Sequence, residues 1–247
     1  MMSAIPSANQ DHSSERDNFC FPIPDVLEND RVKLVPFIPS VHADKVAASS
    51  KEDRLWKYLP YGPFGHGADL VQRFWEPAFR GNPSQLLFVA FDKTKPDENG
   101  QPSLAAIMGY INTAKGDLWT EIGFIVVFPE FQRTHVTSNA IGLLMHYALD
   151  LPEDGGLGLR RVQWQANKLN APSLGLAQRL GFKMEGILRW ARVLPPLMAV
   201  GTNGSPERKG DPRPGHKARD TAILAICWDD WEDGGREKVD AEMARTK

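Results

Sequence analysis

The sequence is poor in several residue types and patterns, and each scarcity excludes a class of function. Its 247 residues include only two cysteines, Cys20 and Cys227, outside any Cys/His cluster, which argues against a zinc site and favours a reducing, cytoplasmic compartment. Lys and Arg number 29 against 31 Asp and Glu, so the charge balance does not indicate nucleic-acid binding. No apolar run reaches the roughly eighteen residues that a membrane-spanning helix needs. We therefore expect a cytoplasmic protein without membrane or nucleic-acid partners.

The composition changes along the chain and indicates the boundaries of its parts. Residues 1–30 are polar and lack the basic and apolar segments of a secretory signal, and they predict a disordered or loosely packed N-terminal arm. Residues 196–217 are rich in Gly, Pro and polar side chains, which is typical of a flexible surface loop. Residues 232–247 predict a polar C-terminal tail or helix. No repeat or linker interrupts residues 31–231, so we expect one domain there.

Hydrophobic patterns predict the elements of that domain. Strands are expected at 31–37, 85–92, 104–113, 117–127, 158–166, 182–194 and 218–231, and helices near 39–51, 68–80, 129–150 and 171–180. Three consecutive strands in the middle indicate an antiparallel meander, after which strands and helices alternate. This order predicts an α/β domain.

The stretch "PEFQRTHVTSNAIGLLMHYALD" (129–150) follows an apolar strand and begins a helix with hydroxyl side chains. A helix N-terminus offers unpaired backbone N–H groups and the positive end of the helix dipole, which suits a phosphate or pyrophosphate. Alternatively, Thr134, Thr137 and Ser138 only cap a core helix. The residues of this stretch leave both interpretations open.

A second motif, "WQANKLNAPSLGLAQRLGF" (164–182), narrows the choice. With "WKYLPYGPF" before it, and "EGILRW" and "RDTAILAICWDDW" after it, the chain from about 31 to 231 resembles the GNAT superfamily of acyl-CoA-dependent N-acyltransferases. It is most similar to the RimJ/RimL-type branch. The resemblance implies a single domain with a mixed, mostly antiparallel sheet that is splayed at the centre and flanked by helices.

The resemblance also implies acetyl-CoA as co-substrate and no metal. Cofactor-binding residues would be Ile125, Val126 and Val127 for the pantetheine arm, Gln132, Arg133, Thr134, His135, Val136, Thr137 and Ser138 for the pyrophosphate, and Asn167 and Asn170 for positioning. His135 and Thr137 stand where the family usually has glycine, and glycine or alanine. Either the loop is therefore wider, or the imidazole adds a hydrogen bond to the phosphates. A further interpretation is that His135 only lies on a helix face.

Two residues are candidates for proton transfer. The resemblance suggests Ser173 as the acid for the departing thiolate, because the tyrosine that many members use is replaced by Ala177. Glu121 is the candidate base. The alternatives are that Ser173 caps its helix and that Glu121 is a half-exposed strand residue. The glutamate of the RimL-like branch is replaced by Arg192, which leaves a water relay open as the base.

For the residues that bind the amine acceptor, the sequence gives fewer indications than for those that bind the cofactor. Trp56, Tyr58, Tyr61 and Phe64 form a possible aromatic wall for an amine, and Arg192 could attract an acidic substrate. Aromatic residues beside prolines also commonly pin a loop to the core. We expect an N-acetyltransferase that moves an acetyl or short acyl group to a primary amine, of a small molecule rather than a protein, in a monomer or homodimer. The alternatives are a RimJ/RimL-like protein N-terminal acetyltransferase and a degenerate acyl-CoA-binding protein.

Overall fold

The computed structural model of the chain describes residues 18–196, 198 and 200–245. Its centre is an eight-stranded sheet with the order β1-β2-β3-β4-β5-β6-β8-β7. The strands are β1 (Leu27–Glu28), β2 (Val32–Pro36), β3 (Leu86–Pro96), β4 (Pro102–Ala114), β5 (Trp119–Val127), β6 (Arg161–Asn167), β7 (Lys183–Val193) and β8 (Ala218–Cys227). All neighbouring strands are antiparallel except β5 and β6, which are parallel.

Helices flank this sheet. They are α1 (Pro39–Ser49), α2 (Gly67–Leu70), α3 (Glu76–Ala78), α4 (His135–Leu149), α5 (Ala171–Arg179), α6 (Trp228–Asp230) and α7 (Arg236–Ala244). π-helical turns join α2 to α3 at Val71–Trp75 and α6 to α7 at Trp231–Gly235. The predicted fold class is confirmed. No helix in the described part of the chain combines the length and the apolar character needed to cross a membrane.

The core lies between α4 and the sheet. Leu86 to Ala90 of β3 are buried in succession, as expected for a central strand covered on both faces. α4 presents Val136, Ala140 and Leu144 at helical spacing, and the hydroxyl of Tyr110 on β4 donates to the carbonyl of Leu144. These contacts fix the position of the N-terminus of α4 relative to the middle of the sheet.

The ends of the domain differ from expectation. Phe19 is buried and stacks on Tyr110, with ring centroids 6.0 Å apart, and β1 pairs with β2. Residues 18–30 are therefore packed rather than loose, because apolar side chains in this polar-looking segment reach the core. The remainder of the predicted arm, residues 1–17, lies outside the described residues.

The C-terminal segment forms a helix that packs on α4. Val239 of α7 is fully buried, and Met243 lies so close to Gly142 of α4 that a β-carbon at that position would collide with it. The predicted loop, 196–217, has neither helix nor strand in its described part. Hydrogen bonds from Leu194 N–H to the Lys217 carbonyl and from Asn203 N–H to the Ala218 carbonyl hold it at the sheet.

Candidate active site

The two central strands are paired over only a short length. Trp119, Thr120 and Glu121 of β5 face residues 161–163 of β6, and no pairing with β6 is present beyond them in the described structure. On its other side, β5 contains a bulge, because the partners of Ile107 and Gly109 on β4 are Val126 and Gly123. Phe124, inside the bulge, has a left-handed backbone with φ of 51°. A bulge bends its strand, so β5 and β6 diverge after Glu121.

The divergence leaves one edge of β5 without a strand partner. Ile125, Val126 and Val127 lie on this edge, where free backbone groups can bind an extended chain of amides as an added strand would. The carbonyl of Val127 accepts a hydrogen bond from Nε2 of Gln132, 3.0 Å away. Gln132 therefore ties the loop before α4 to the end of β5.

That loop places the first turn of α4 beside the gap. Arg133 has a left-handed backbone with φ of 61°, and Thr134 is the N-cap. Its hydroxyl donates to the Phe131 carbonyl at 2.7 Å and accepts from Val136 N–H at 3.3 Å. Other N–H groups of a first turn have no partner within the helix, so this end of α4 has the donors and the dipole for a diphosphate.

His135 begins α4 but turns its ring toward the sheet. Its Nε2 lies 3.2 Å from Oδ1 of Asp92 on β3, yet the two groups are not aligned as a hydrogen bond, and Nε2 is buried without a hydrogen-bond partner in the described structure. The suggested bond from this imidazole to the phosphates therefore does not fit the observed orientation. Its backbone N–H remains in the first turn.

Glu121 is the last residue of β5 that pairs with β6, and its side chain is buried, with 3% of the residue exposed. Its Oε2 accepts hydrogen bonds from Nδ2 of Asn112 at 3.0 Å and Nε2 of Gln163 at 3.2 Å. Burial raises the pKa of Glu121, while these two bonds and the charges of Arg192 and Arg219 act in the opposite direction. The interpretation of Glu121 as a half-exposed strand residue is wrong, and the carboxyl has the environment of a base tuned upward.

Ser173 lies in the first turn of α5 but does not cap it. The N-cap is Asn170, whose Oδ1 accepts from Ser173 N–H at 3.3 Å. The hydroxyl oxygen of Ser173 accepts from the indole Nε1 of Trp164 at 3.0 Å. Because an indole N–H can only donate, this contact leaves the hydroxyl proton of Ser173 available to another acceptor. Ala177 is fully buried.

Asn167 and Asn170 form hydrogen bonds within the protein, and their predicted role in positioning the cofactor stays a prediction. Oδ1 of Asn167 accepts from Leu169 N–H at 2.9 Å, and its Nδ2 donates to the Gly201 carbonyl at 2.6 Å. The side-chain oxygen and nitrogen of Asn167 therefore both have hydrogen-bond partners within the protein. The side-chain oxygen of Asn170 accepts the N-cap hydrogen bond of α5. Tyr58 joins the same junction, because its hydroxyl donates to the Leu169 carbonyl at 3.1 Å.

The predicted aromatic wall separates into two pairs. Trp56 and Phe64 are buried at 4% and 2% exposure, with ring centroids 5.1 Å apart, so they pack in the core and cannot line an entrance. Tyr58 and Tyr61 are half-buried. The ring of Tyr61 packs on Phe124 at 5.6 Å. Burial raises the pKa of Tyr61, and the charge of Arg192 opposes that rise.

Four contributors at this site were missed by the sequence prediction. They are Asn112, Gln163, Trp164 and Arg219. Asn112, which donates to Glu121, has a left-handed backbone with φ of 51°, and the sequence pattern of a strand does not predict that conformation. For Arg219, strand alternation along β8 was a usable signal, since it places Arg219 and Thr221 on one face.

The geometry agrees with a comparison of the sequence with family models. The model described as an acetyltransferase (GNAT) domain matches residues 31–183. The chain belongs to this family of acetyltransferases. GNAT enzymes transfer acyl groups from acetyl-CoA, and the diverging strands and the α4 N-terminus of this chain lie within the matched part. No curated protein sequence matches the chain significantly.

Solved structures show the same GNAT fold. A GCN5-related N-acetyltransferase from Brucella melitensis superposes with a TM-score of 0.70 at 24% identity, covering 90% of this chain and 88% of that one. A probable GNAT-family acetyltransferase from Chromobacterium violaceum gives 0.67 at 23%, covering 94% and 98%. Spermidine N-acetyltransferase from Vibrio cholerae, in complex with CoA and spermine, gives 0.58 at 14%, covering 83% and 99%. The RimJ/RimL-type branch is not resolved by these matches and stays a prediction.

Proposed function

We propose that this GNAT domain transfers an acetyl group from acetyl-CoA to a primary amine of a small molecule, by direct attack of the amine. The observation that carries the proposal is the buried carboxyl of Glu121 at the point where β5 and β6 part. When bound, acetyl-CoA supplies an acyl group activated as a thioester. The residues of this chain would bind it, orient the amine and move two protons.

The cofactor fits the groups present at the gap. Backbone groups of Ile125 to Val127 lie on the unpaired edge of β5, where the pantetheine amides can bond. The first-turn N–H groups of α4, between Thr134 and Ser138, suit the diphosphate. The side chain of Arg133 is exposed beside them and adds a positive charge.

Proton transfer is assigned to two side chains. Glu121 removes a proton from the acceptor ammonium, and its raised pKa brings it closer to the pKa of an amine than an exposed glutamate would be. Ser173 gives a hydroxyl proton to the departing sulfur, since its oxygen is already held by Trp164, and it is reprotonated by the second proton that the nitrogen loses as the amide forms. Neither step requires a covalent intermediate on the protein.

A small acceptor is favoured by the loops around the site. Tyr58 bonds to the Leu169 carbonyl, and Asn167 bonds to the Gly201 carbonyl, so the segment around Tyr58, the turn after β6 and the predicted loop 196–217 at Gly201 meet at one junction. We infer that these bonded segments hinder a folded protein from entering the site at this end. The Vibrio cholerae enzyme, which is named for spermidine and was crystallised with spermine, shows that the fold accommodates small amines.

Two measurements test the proposal. Calorimetry measures CoA binding, and thiol release from acetyl-CoA is followed with a panel of small amines and with peptides that have free N-termini. We expect micromolar CoA binding and amine-dependent thiol release that Glu121→Gln abolishes without changing CoA affinity. Binding without any thiol release would instead support a degenerate acyl-CoA-binding protein, and release only with peptides would support a protein N-terminal acetyltransferase. A cytoplasmic site of action and a monomer or homodimer are part of the proposal, and cell fractionation and light scattering test them.

A further inference from the structure

Two arginines face each other on neighbouring strands at one end of the sheet. Arg192 of β7 and Arg219 of β8 are direct partners in the antiparallel register, so their side chains emerge on the same face. Like charges directly opposite one another destabilise a strand pair. Sheet stability alone gives no reason for this pair.

The protein leaves both guanidinium groups short of partners. In the described part of the chain, neither forms an ion pair with a carboxylate. Nε of Arg219 donates to Oγ1 of Thr221 at 3.1 Å. Arg192 donates to the Ala191 carbonyl at 3.2 Å and makes a long contact of 3.5 Å with Oε1 of Gln165. Since each guanidinium carries five N–H donors, most of their donor capacity is unused.

The side chain of Arg219 is also partly shielded from solvent. It is half-buried; burial and the charge of Arg192 lower its pKa, and the charge of Glu121 opposes that fall. A partly buried cation beside a second cation is costly unless an anion joins them. Glu121 supplies one negative charge that acts on both arginines but forms no ion pair with either in the described structure, so a further anion would offset the remaining positive charge.

The pair belongs to the same face as Glu121. Glu121 pairs with Gln163 on β6, and Gln165 on that strand faces Ile223 of β8. Ile223, Thr221 and Arg219 alternate onto one face of β8. Both arginines are close enough to Glu121 to act on its pKa, so they lie on the side from which the proposed amine approaches.

We propose that Arg192 and Arg219 bind an anionic group of the acceptor, which makes the acceptor an amine that also carries a carboxylate or a phosphate. This inference rests on the proposed function and specifies its substrate class. Two guanidinium forks suit an oxyanion, to which each can donate two parallel hydrogen bonds. A polyamine would instead bring positive charge against this pair, so polyamines are expected to be poor acceptors.

The kinetic test uses acceptors that differ only in the anion. Amino acids are compared with their primary amides, phosphoethanolamine with ethanolamine, and spermidine serves as the cationic acceptor. We expect kcat/KM to favour a carboxylate or phosphate compound over its neutral counterpart by about ten-fold or more. The two pairs show which oxyanion is preferred. Equal or better turnover of the neutral compounds or of spermidine overturns the inference.

Variants separate the anion site from a general charge effect. Arg219→Gln and Arg192→Gln should raise KM for the anionic acceptor, so the ratio of kcat/KM for that compound to kcat/KM for its neutral counterpart should fall toward one. Because the lost charge also acts on the pKa of Glu121, both compounds are compared at one pH on the plateau above the acid limb of the profile. Arg160→Gln removes the same charge from an exposed position at the start of β6 and should leave the preference intact. A preference that survives the double variant at 192 and 219 contradicts the proposal.

A binding measurement keeps this inference distinct from the proposed function. Calorimetry with CoA-saturated protein titrates each acceptor in the absence of turnover. If no amine releases thiol, the proposed function fails, yet binding of the anionic compounds that is lost in Arg219→Gln still supports the anion site. If thiol is released but anionic and neutral acceptors bind equally, the proposed function stands and the anion site is rejected.

Discussion

The indole Nε1 of Trp164 lies 3.0 Å from Oγ of Ser173 and donates a hydrogen bond to it. Trp164 is on β6, which is the strand that diverges from β5, and Ser173 is in the first turn of α5. The bond fixes the hydroxyl oxygen and directs its proton away from Trp164. A strand side chain thus orients a helix side chain at the proposed leaving-group position.

Replacing the serine tests its role as acid. Ser173→Ala should lower kcat by about ten- to a thousand-fold, because the departing sulfur loses its proton donor. CoA affinity should change little, while the Trp164 N–H loses its acceptor, which costs about 1–3 kcal/mol of stability. The contrasting variant, Asn170→Ala, removes the cap of α5 and should destabilise the fold by about 1 kcal/mol. An unchanged single-turnover rate in Ser173→Ala would remove Ser173 from the mechanism.

The tryptophan should act only through that serine. Trp164→Phe keeps an aromatic ring against Phe182, whose ring centroid is 5.5 Å away, but lacks the N–H. We expect kcat to fall by roughly three- to ten-fold, a loss typical of one neutral hydrogen bond. In the Ser173→Ala background the same change should have no further effect on kcat. Equal effects in both backgrounds would mean that Trp164 acts through packing alone.

Glu121 should produce the acid limb of the pH–rate profile. Burial raises its pKa, so the basic form accumulates only as the pH rises through that raised value, and kcat/KM should fall on the acid side. Glu121→Gln should remove this limb and lower kcat/KM by about 10²- to 10⁴-fold. A uniform decline that leaves the limb in place would assign Glu121 to positioning rather than proton transfer.

The raised pKa of Glu121 also changes how the stability of the fold depends on pH. The folded state holds the Glu121 proton more tightly than the unfolded state, so the group stabilises the fold at low pH and this contribution is lost as the pH rises through the raised pKa. At neutral pH, Glu121→Gln should therefore melt at the same or a higher temperature than the parent protein. The difference should narrow below the pKa of an unfolded glutamate. Thermal unfolding monitored across pH checks both statements.

Two substitutions at one position isolate the backbone N–H of the α4 N-terminus. His135→Ala and His135→Pro both remove the imidazole, but only proline removes the N–H. Proline suits the first helical position, and the extended backbone of Thr134, with φ of −109° and ψ of −179°, accepts a following proline. We expect His135→Pro alone to weaken CoA binding by about ten- to a hundred-fold, the effect of a lost bond to a charged group. Equal CoA affinities would place the diphosphate elsewhere.

Gly201 is predicted to control the acceptor side. Its φ is 81°, and a β-carbon there would lie 2.6 Å from Nδ2 of Asn167 and 3.2 Å from the ring of Tyr58. Gly201→Ala should therefore raise KM for the amine more than it weakens CoA binding. Gly204→Ala is the matched control, because its φ is 75° and no atom lies within 4 Å of its added carbon. Both should cost about 1–2 kcal/mol of backbone strain, and only the first should change KM.

Local patterns were sufficient to predict most elements. The strand expected at 117–127 is Trp119–Val127, and the helix expected at 171–180 is Ala171–Arg179. Both have a clear hydrophobic period and clear boundaries, at a proline turn and at Gly181. The acidic residue on β5 and the serine on α5 were found because the motif order identified the strand and helix that carry them.

Details that depend on register were not predictable in this way. The bulge at Phe124 exists only in relation to β4, and the pairing of Arg192 with Arg219 depends on a register shift in β7 after Leu188. Likewise, Asn167 binds the carbonyl of Gly201, far along the chain. One sequence does not specify which distant residues meet, so the burial of Trp56 and Phe64, which were predicted to line an entrance, was missed.

The packing of α7 on α4 also affects how the chain is made. Residues 236–244 leave the ribosome long after α4, so the outer surface of α4, including Gly142, stays exposed to solvent until α7 has emerged. Nδ2 of Asn139 on α4 donates to the Met243 carbonyl at 3.1 Å, and this acceptor is absent until α7 has been synthesised. Premature termination before α7 would therefore expose this helix to chaperones and proteases in the nascent protein, although the side chains of the candidate site would all have been synthesised.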